Sequence, residues 1–64
     1  MKIKWTNKWS GETGFVKTVN TKKKYFENTY DVNEAKVFTK TTGNKALPKL
    51  DEYCADNTYE LVEA

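Results

Sequence analysis

Alternating apolar and polar residues mark both ends of the chain. Met1, Ile3 and Trp5 alternate with polar residues, which is the period of a half-buried β-strand. Residues 58–63 near the other end also have the composition of a strand. Between the first strand and the next apolar stretch, residues 7–14 are rich in turn formers and include Gly11 and Gly14, so we interpret them as a loop.

Two further strands form a predicted hairpin. Residues 15–19 and 24–30 are rich in β-branched and aromatic side chains, and residues 20–23 between them have the length of a hairpin connection. Tyr25 and Phe26 are neighbours, so alternation directs one ring into the core and the other outward. The pattern does not decide which ring is buried.

The middle of the chain predicts two short helices. Asp31 and Glu34 have the spacing of a capping box, and the helix that follows would turn Val32, Ala35 and Phe38 inward and stop near residues 39–42. A second helix is expected from about residue 44 to residue 57, with Pro48 in its first turn. Its apolar residues follow helical spacing: Ala46, Leu47, Leu50, Tyr53 and Cys54.

The order of elements is therefore β-β-β-α-α-β within a single domain spanning residues 1–64. We expect the α+β class: a small, mostly antiparallel sheet of three or four strands with two short helices on one face. Nine of the 64 residues are aromatic, which supplies a small core with much apolar area and argues against disorder. By its strand period, Trp5 belongs to that core.

Charge is unevenly distributed along the chain. Residues 1–30 carry seven lysines against two glutamates, a balance of +5, whereas residues 31–64 carry four lysines against seven acidic residues, a balance of −3. If the halves stay apart in space, the domain has one basic and one acidic surface. All basic residues are lysines, and the absence of arginine disfavours sequence-specific reading of DNA.

The composition disfavours catalysis. The chain has no histidine, the commonest acid or base near neutral pH, and its one cysteine, Cys54, is expected as a buried structural thiol on the second helix. One cysteine without histidine provides neither a disulfide nor the ligands of a structural zinc site. We predict no catalytic residues, no metal site and no cofactor, and interpret the chain as non-enzymatic.

The stretch TKKKYF is the first candidate for a contact surface. Lys22, Lys23 and Lys24 could neutralise phosphates while Tyr25 stacks on a base, as in proteins that bind single strands. The simpler interpretation is a soluble hairpin tip that protects a sheet edge. The basic residues of the first half support a weak, sequence-tolerant nucleic-acid binder as the alternative function.

Trp9 is the second candidate. It lies in a loop without strand or helix periodicity, and tryptophan is enriched in the residues that dominate protein interfaces. The competing interpretation is a lid over one end of a small core. Together with Tyr25 and Tyr30 it defines a predicted protein contact, in which either the basic or the acidic surface takes part.

One resemblance extends over most of the chain. Gly14-Phe15-Val16, Lys24-Tyr25-Phe26, residues 34–38 and 59–62 resemble small uncharacterised accessory proteins encoded by tailed bacteriophages. This resemblance implies a protein that acts in the bacterial cytoplasm and binds a host protein to modulate or inhibit it. A cytoplasmic location also fits the lack of a signal-peptide pattern and of a membrane-spanning apolar stretch.

Overall fold

A computed structural model describes residues 1–63 and shows a four-stranded antiparallel sheet with one α-helix and a 3-10 turn. This confirms the α+β class. The strands are β1 (Lys2–Asn7), β2 (Thr13–Asn20), β3 (Tyr25–Thr29) and β4 (Asn57–Val62). The helix α1 spans Lys40–Tyr53, and the 3-10 turn spans Val32–Glu34.

The first strand lies at the centre of the sheet. The strand order is β3-β2-β1-β4, so β1 pairs with its neighbour in sequence, β2, and with the last strand, β4. Trp5 is opposite Gly14 on one side and Tyr59 on the other. Because β4 comes from the acidic half of the chain and β1 from the basic half, the two halves meet along this pair of strands, and Lys4 lies opposite Glu60.

The core fills the space between α1 and one face of the sheet. Its buried cluster consists of Ile3, Val16, Phe38, Ala46 and Leu50. Trp5 is also buried, as its alternation predicts, and its indole nitrogen donates to the carbonyl of Phe15. Phe26 packs against the cluster and Tyr25 is exposed, which decides the question that the sequence left open.

The prediction of a first α-helix after Asp31 is wrong. Asp31 does cap a turn by accepting from the backbone of Asn33, but only the 3-10 turn forms. The chain then runs without helix over residues 36–39, which we call the connecting segment, and Phe38 and Met1 exchange two backbone hydrogen bonds. Lys36 donates to the carbonyl of Val16 in the same way. These hydrogen bonds to strand residues replace those that a helix would have formed.

The second predicted helix exists but begins earlier. Thr39 is its N-cap and forms a capping box with Thr42, so α1 starts at Lys40 rather than near residue 44. It ends at Tyr53, before the predicted limit. Pro48, expected in the first turn, therefore lies inside the helix. Gly43, which by itself favours a turn, is buried against Leu61 of β4, and that packing stabilises the longer helix.

Candidate partner-binding surfaces

The loop between β1 and β2 is held by the side chain and backbone of Asn7. The Asn7 Oδ1 atom accepts from the backbone nitrogens of Trp9 and Ser10, both at 2.9 Å. The Asn7 backbone closes the loop by donating to Glu12 at 2.8 Å, and Gly11 adopts a φ of 76°, in the region that favours glycine. A further backbone hydrogen bond, from the Lys8 N–H to the carbonyl of Asp56 at 2.8 Å, holds the loop.

This loop presents Trp9 to solvent. The side chain is 83% exposed, so the interpretation of Trp9 as a lid over the core is wrong. Its indole nitrogen donates to Asp56 Oδ1 at 3.3 Å, which orients the ring while leaving its faces accessible. Within the described part of the chain, Trp9 is the most exposed of the large apolar residues.

Tyr30 lies at the same end of the sheet. It follows β3, is 71% exposed, and its hydroxyl donates to Glu12 Oε2 at 3.0 Å. The hydrogen bond to the Glu12 carboxylate and the negative charge of that group raise the pKa of Tyr30. The edge of one ring meets the face of the other in the pair Tyr30 and Trp5, whose centroids are 5.4 Å apart.

A cavity of about 260 Å³ lies beside the rings of Trp5 and Tyr30. It is lined by Trp5 and Tyr30 and by side chains that can donate and accept hydrogen bonds: Asn7, Ser10, Glu12, Asn28, Thr29 and Asn57. Trp9 lies between two of these residues in the chain. We call Trp9, Tyr30 and this cavity the aromatic end. It combines apolar rings with groups that can donate and accept hydrogen bonds.

The TKKKYF stretch lies at the opposite end of the sheet. Tyr25 pairs with Asn20 and Thr29 pairs with Phe15, so four residue steps along β3, roughly 14 Å, separate the two ends. The predicted contact residues are therefore divided. Trp9 and Tyr30 lie at one end of the sheet, while Lys22, Lys23, Lys24 and Tyr25 lie at the other.

At the hairpin tip the three lysines are exposed in an ordered turn. Asn20 Oδ1 accepts from the nitrogens of Lys22 and Lys23 at 3.1 and 3.2 Å, and Lys24 has a positive φ of 52°. Tyr25 is 47% exposed, and its hydroxyl donates to the carboxylate of Glu27, which raises the pKa of Tyr25. The tip thus offers both positive charge and an aromatic ring, with a carboxylate beside the ring.

A larger groove was not predicted from the sequence. It has a volume of about 540 Å³ and runs between α1, the end of β2 and the connecting segment. Its apolar residues are Val19, Val37, Phe38 and Ala46, and its lysines are Lys36, Lys45 and Lys49. We call it the lysine-rimmed groove. The groove could not be predicted because Val37 and Phe38 were assigned to a helix, whereas in the structure they lie in an extended segment that lines the groove.

Cys54 is half-buried and free at the end of α1. Within residues 1–63, no three His, Cys, Asp or Glu side chains are grouped so that they could hold a metal ion. The helix of the described region is too short and too polar to cross a membrane.

The chain matches no protein-family profile, no curated protein and no solved structure.

Proposed function

We propose that this chain is a non-enzymatic protein-binding module that contacts its partner through the aromatic end. The observation that carries the proposal is the exposure of Trp9, 83% of whose side chain is accessible although its loop is fixed by several hydrogen bonds. An exposed tryptophan leaves a large apolar surface in water, and covering that surface is the main source of affinity at interface centres.

The geometry of the loop favours binding for a second reason. Asn7, Gly11 and the Lys8–Asp56 hydrogen bond hold the loop backbone before any partner arrives. A side chain on a fixed backbone loses less conformational entropy when it is covered, so more of the burial energy appears as affinity. Tyr30 adds a second exposed ring, which is held in place because its hydroxyl donates to the Glu12 carboxylate.

We further propose that the partner is a host bacterial protein and that binding modulates or inhibits it in the bacterial cytoplasm. The support for this step is the resemblance to accessory proteins of tailed bacteriophages. Such a module can modulate its target without catalysing a reaction, because an aromatic contact can cover a functional surface of the target.

Nucleic-acid binding is the second candidate function. The observation that favours it is the exposure of three consecutive lysines at the hairpin tip beside Tyr25, which is 47% exposed. The Glu27 carboxylate, which accepts from the Tyr25 hydroxyl, opposes it, because a negative charge beside the Tyr25 ring repels phosphates.

Affinity capture from bacterial lysate, with and without nuclease, separates the two functions. The tagged protein is compared with Trp9→Ala and with the matched aromatic variant Tyr25→Ala at the opposite end of the sheet. We expect a stoichiometric protein partner that survives nuclease, is lost with Trp9→Ala and is retained with Tyr25→Ala. Loss of recovery after nuclease, together with sensitivity to Tyr25→Ala, would instead establish nucleic-acid binding at the hairpin tip.

A further inference from the structure

We infer that the lysine-rimmed groove is a second docking site, which takes an acidic segment of a partner protein that inserts a large apolar side chain. This site is separate from the aromatic end. The groove includes Val19 near the end of β2 and Thr21 just after it, whereas Trp9 precedes the start of β2. A partner can therefore occupy either surface alone.

The floor of the groove is apolar and partly uncovered. Val37, which is 67% exposed, lines the groove together with the buried residues Phe38 and Ala46. The volume of about 540 Å³ lies within the range of roughly 300–1,000 Å³ that is typical of ligand pockets. An inserted Leu or Phe side chain would remove Val37 and its neighbours from water, which is the apolar part of the affinity.

The rim of the groove is positive. Lys45 and Lys49 are one helical turn apart on α1 and lie on the same face, and Lys36 approaches from the connecting segment. The Lys36 ammonium is 5.6 Å from the centroid of the Phe38 ring, a cation–π contact that holds it at the groove wall. The lining contains three lysines and no acidic residue, so a segment with carboxylates beside its apolar anchor is complementary in charge.

The walls of the groove favour a protein segment over a nucleic acid. Binding of single strands relies on aromatic faces on which bases stack. Phe38 is the aromatic residue of the lining, and it is only 6% exposed, so its face is not available for stacking. Val19, Val37 and Ala46 offer aliphatic contacts, which match an apolar side chain rather than a base.

The test uses a short amphipathic peptide in which one Leu and one Phe are flanked by glutamates. Amide chemical shifts of the isotope-labelled protein are followed by two-dimensional NMR during titration. Two control peptides replace either the glutamates by lysines or the Leu and Phe by serines. We expect shifts to concentrate at Val19, Thr42 and Ala46, and both control peptides to bind at least about tenfold more weakly.

Variants then assign the contact to the groove. The double change Lys45→Glu and Lys49→Glu should lower the affinity for the acidic peptide by roughly tenfold or more. Val37→Ser should also lower this affinity. Lys8→Glu, a single charge reversal outside the groove, and Trp9→Ala should leave the affinity unchanged. All of these side chains are exposed, so circular dichroism is expected to show that each variant remains folded.

Several results would overturn the inference. Chemical-shift changes outside the groove would contradict the location of the site. Equal binding of the serine peptide would show that apolar contact does not contribute to the affinity. Equal binding of the lysine peptide would remove the role of the rim. Tighter binding of a single-stranded oligonucleotide at the same residues would assign the groove to nucleic acid. Because Trp9→Ala is a control here, failure of this inference is distinguishable from failure of the proposed function.

Discussion

Replacing Pro48 by alanine is expected to stabilise the protein. Pro48 lies inside α1, eight residues after Lys40, so the carbonyl of Asn44 lacks the backbone donor that any other residue would supply. Proline is about 3 kcal/mol less favourable than alanine in a helix interior. Asn44 is exposed and water partly satisfies its carbonyl, so we expect Pro48→Ala to raise the free energy of unfolding by about 1–3 kcal/mol.

This gain is large for a chain of 64 residues, whose total stability is expected to be about 3–10 kcal/mol. Each kcal/mol should raise the melting temperature by about 4–8 °C. Urea denaturation followed by circular dichroism measures the change, and an unaltered slope with urea shows that only stability has changed. Glu52→Ala, at an exposed position of the same helix, is the control and should shift the free energy of unfolding by a few tenths of a kcal/mol.

A neutral or destabilising effect of Pro48→Ala would refute a helix over Lys40–Tyr53. A helix that began near residue 44 would place Pro48 in its first turn, where the missing N–H costs nothing. Thr39→Ala provides an independent check, because the Thr39 hydroxyl accepts from the Thr42 nitrogen at 3.1 Å. Loss of this cap should cost about 1 kcal/mol if α1 begins at Lys40, and nothing if it begins later.

Three further outcomes are expected from the same core and sheet. Leu50→Ala, at a fully buried position, should lower the free energy of unfolding by about 2–5 kcal/mol. Val37→Ala, at an exposed position, should change it by less than about 0.5 kcal/mol. Equal effects of the two variants in urea denaturation would contradict the burial of Leu50 in the core. Gly14→Ala should destabilise the protein by about 1–3 kcal/mol, because the added methyl group would lie 2.5 Å from the Trp5 ring, and a stabilised variant would exclude this contact. Burial, more than any other cause, raises the pKa of Tyr59 above 10.0, so the folded state holds its proton longer than the unfolded state. Stability should therefore fall as pH rises above about 10, and Tyr59→Phe should flatten this dependence in alkaline denaturation.

Local patterns predicted the strands well. Alternation at Ile3 and Trp5 assigned the central strand and its buried face, and the hairpin composition located β2 and β3. These predictions succeed because the side-chain period of a half-buried strand is visible in the sequence itself. The choice between Tyr25 and Phe26 needed more, since the irregular register between Val16 and Thr18 changes which residues of the hairpin face the core.

The helical region shows where local rules fail. Asp31 and Glu34 have capping-box spacing, yet the hydrogen bonds of the connecting segment to Met1 and Val16 prevent a helix there. In the next segment, Gly43 favours a stop in isolation but packs closely against Leu61, which only tertiary structure reveals. The capping box at Thr39 uses a second threonine instead of the usual Glu or Gln, so its pattern is difficult to recognise.

The candidate surfaces were partly visible in the sequence. Trp9 was identified because no periodicity assigned it to the core, and the structure exposes it. The position of Tyr30 at the same end of the sheet as Trp9, and the separation of both from Lys22–Lys24, depend on strand register and could not be derived from composition. The lysine-rimmed groove likewise depends on tertiary structure, because its lysines come from the half of the chain that is acidic on balance.

The most direct test of the proposed function is the salt dependence of partner affinity for the wild type, Trp9→Ala and the Lys22, Lys23, Lys24 triple-alanine variant. Calorimetric titration of the captured partner at low and at physiological salt provides it. We predict that Trp9→Ala weakens binding by about tenfold or more at both salt concentrations, while the triple variant binds nearly as well as the wild type. A steep loss of wild-type affinity with salt, combined with loss of binding in the triple variant and retention in Trp9→Ala, would contradict the account.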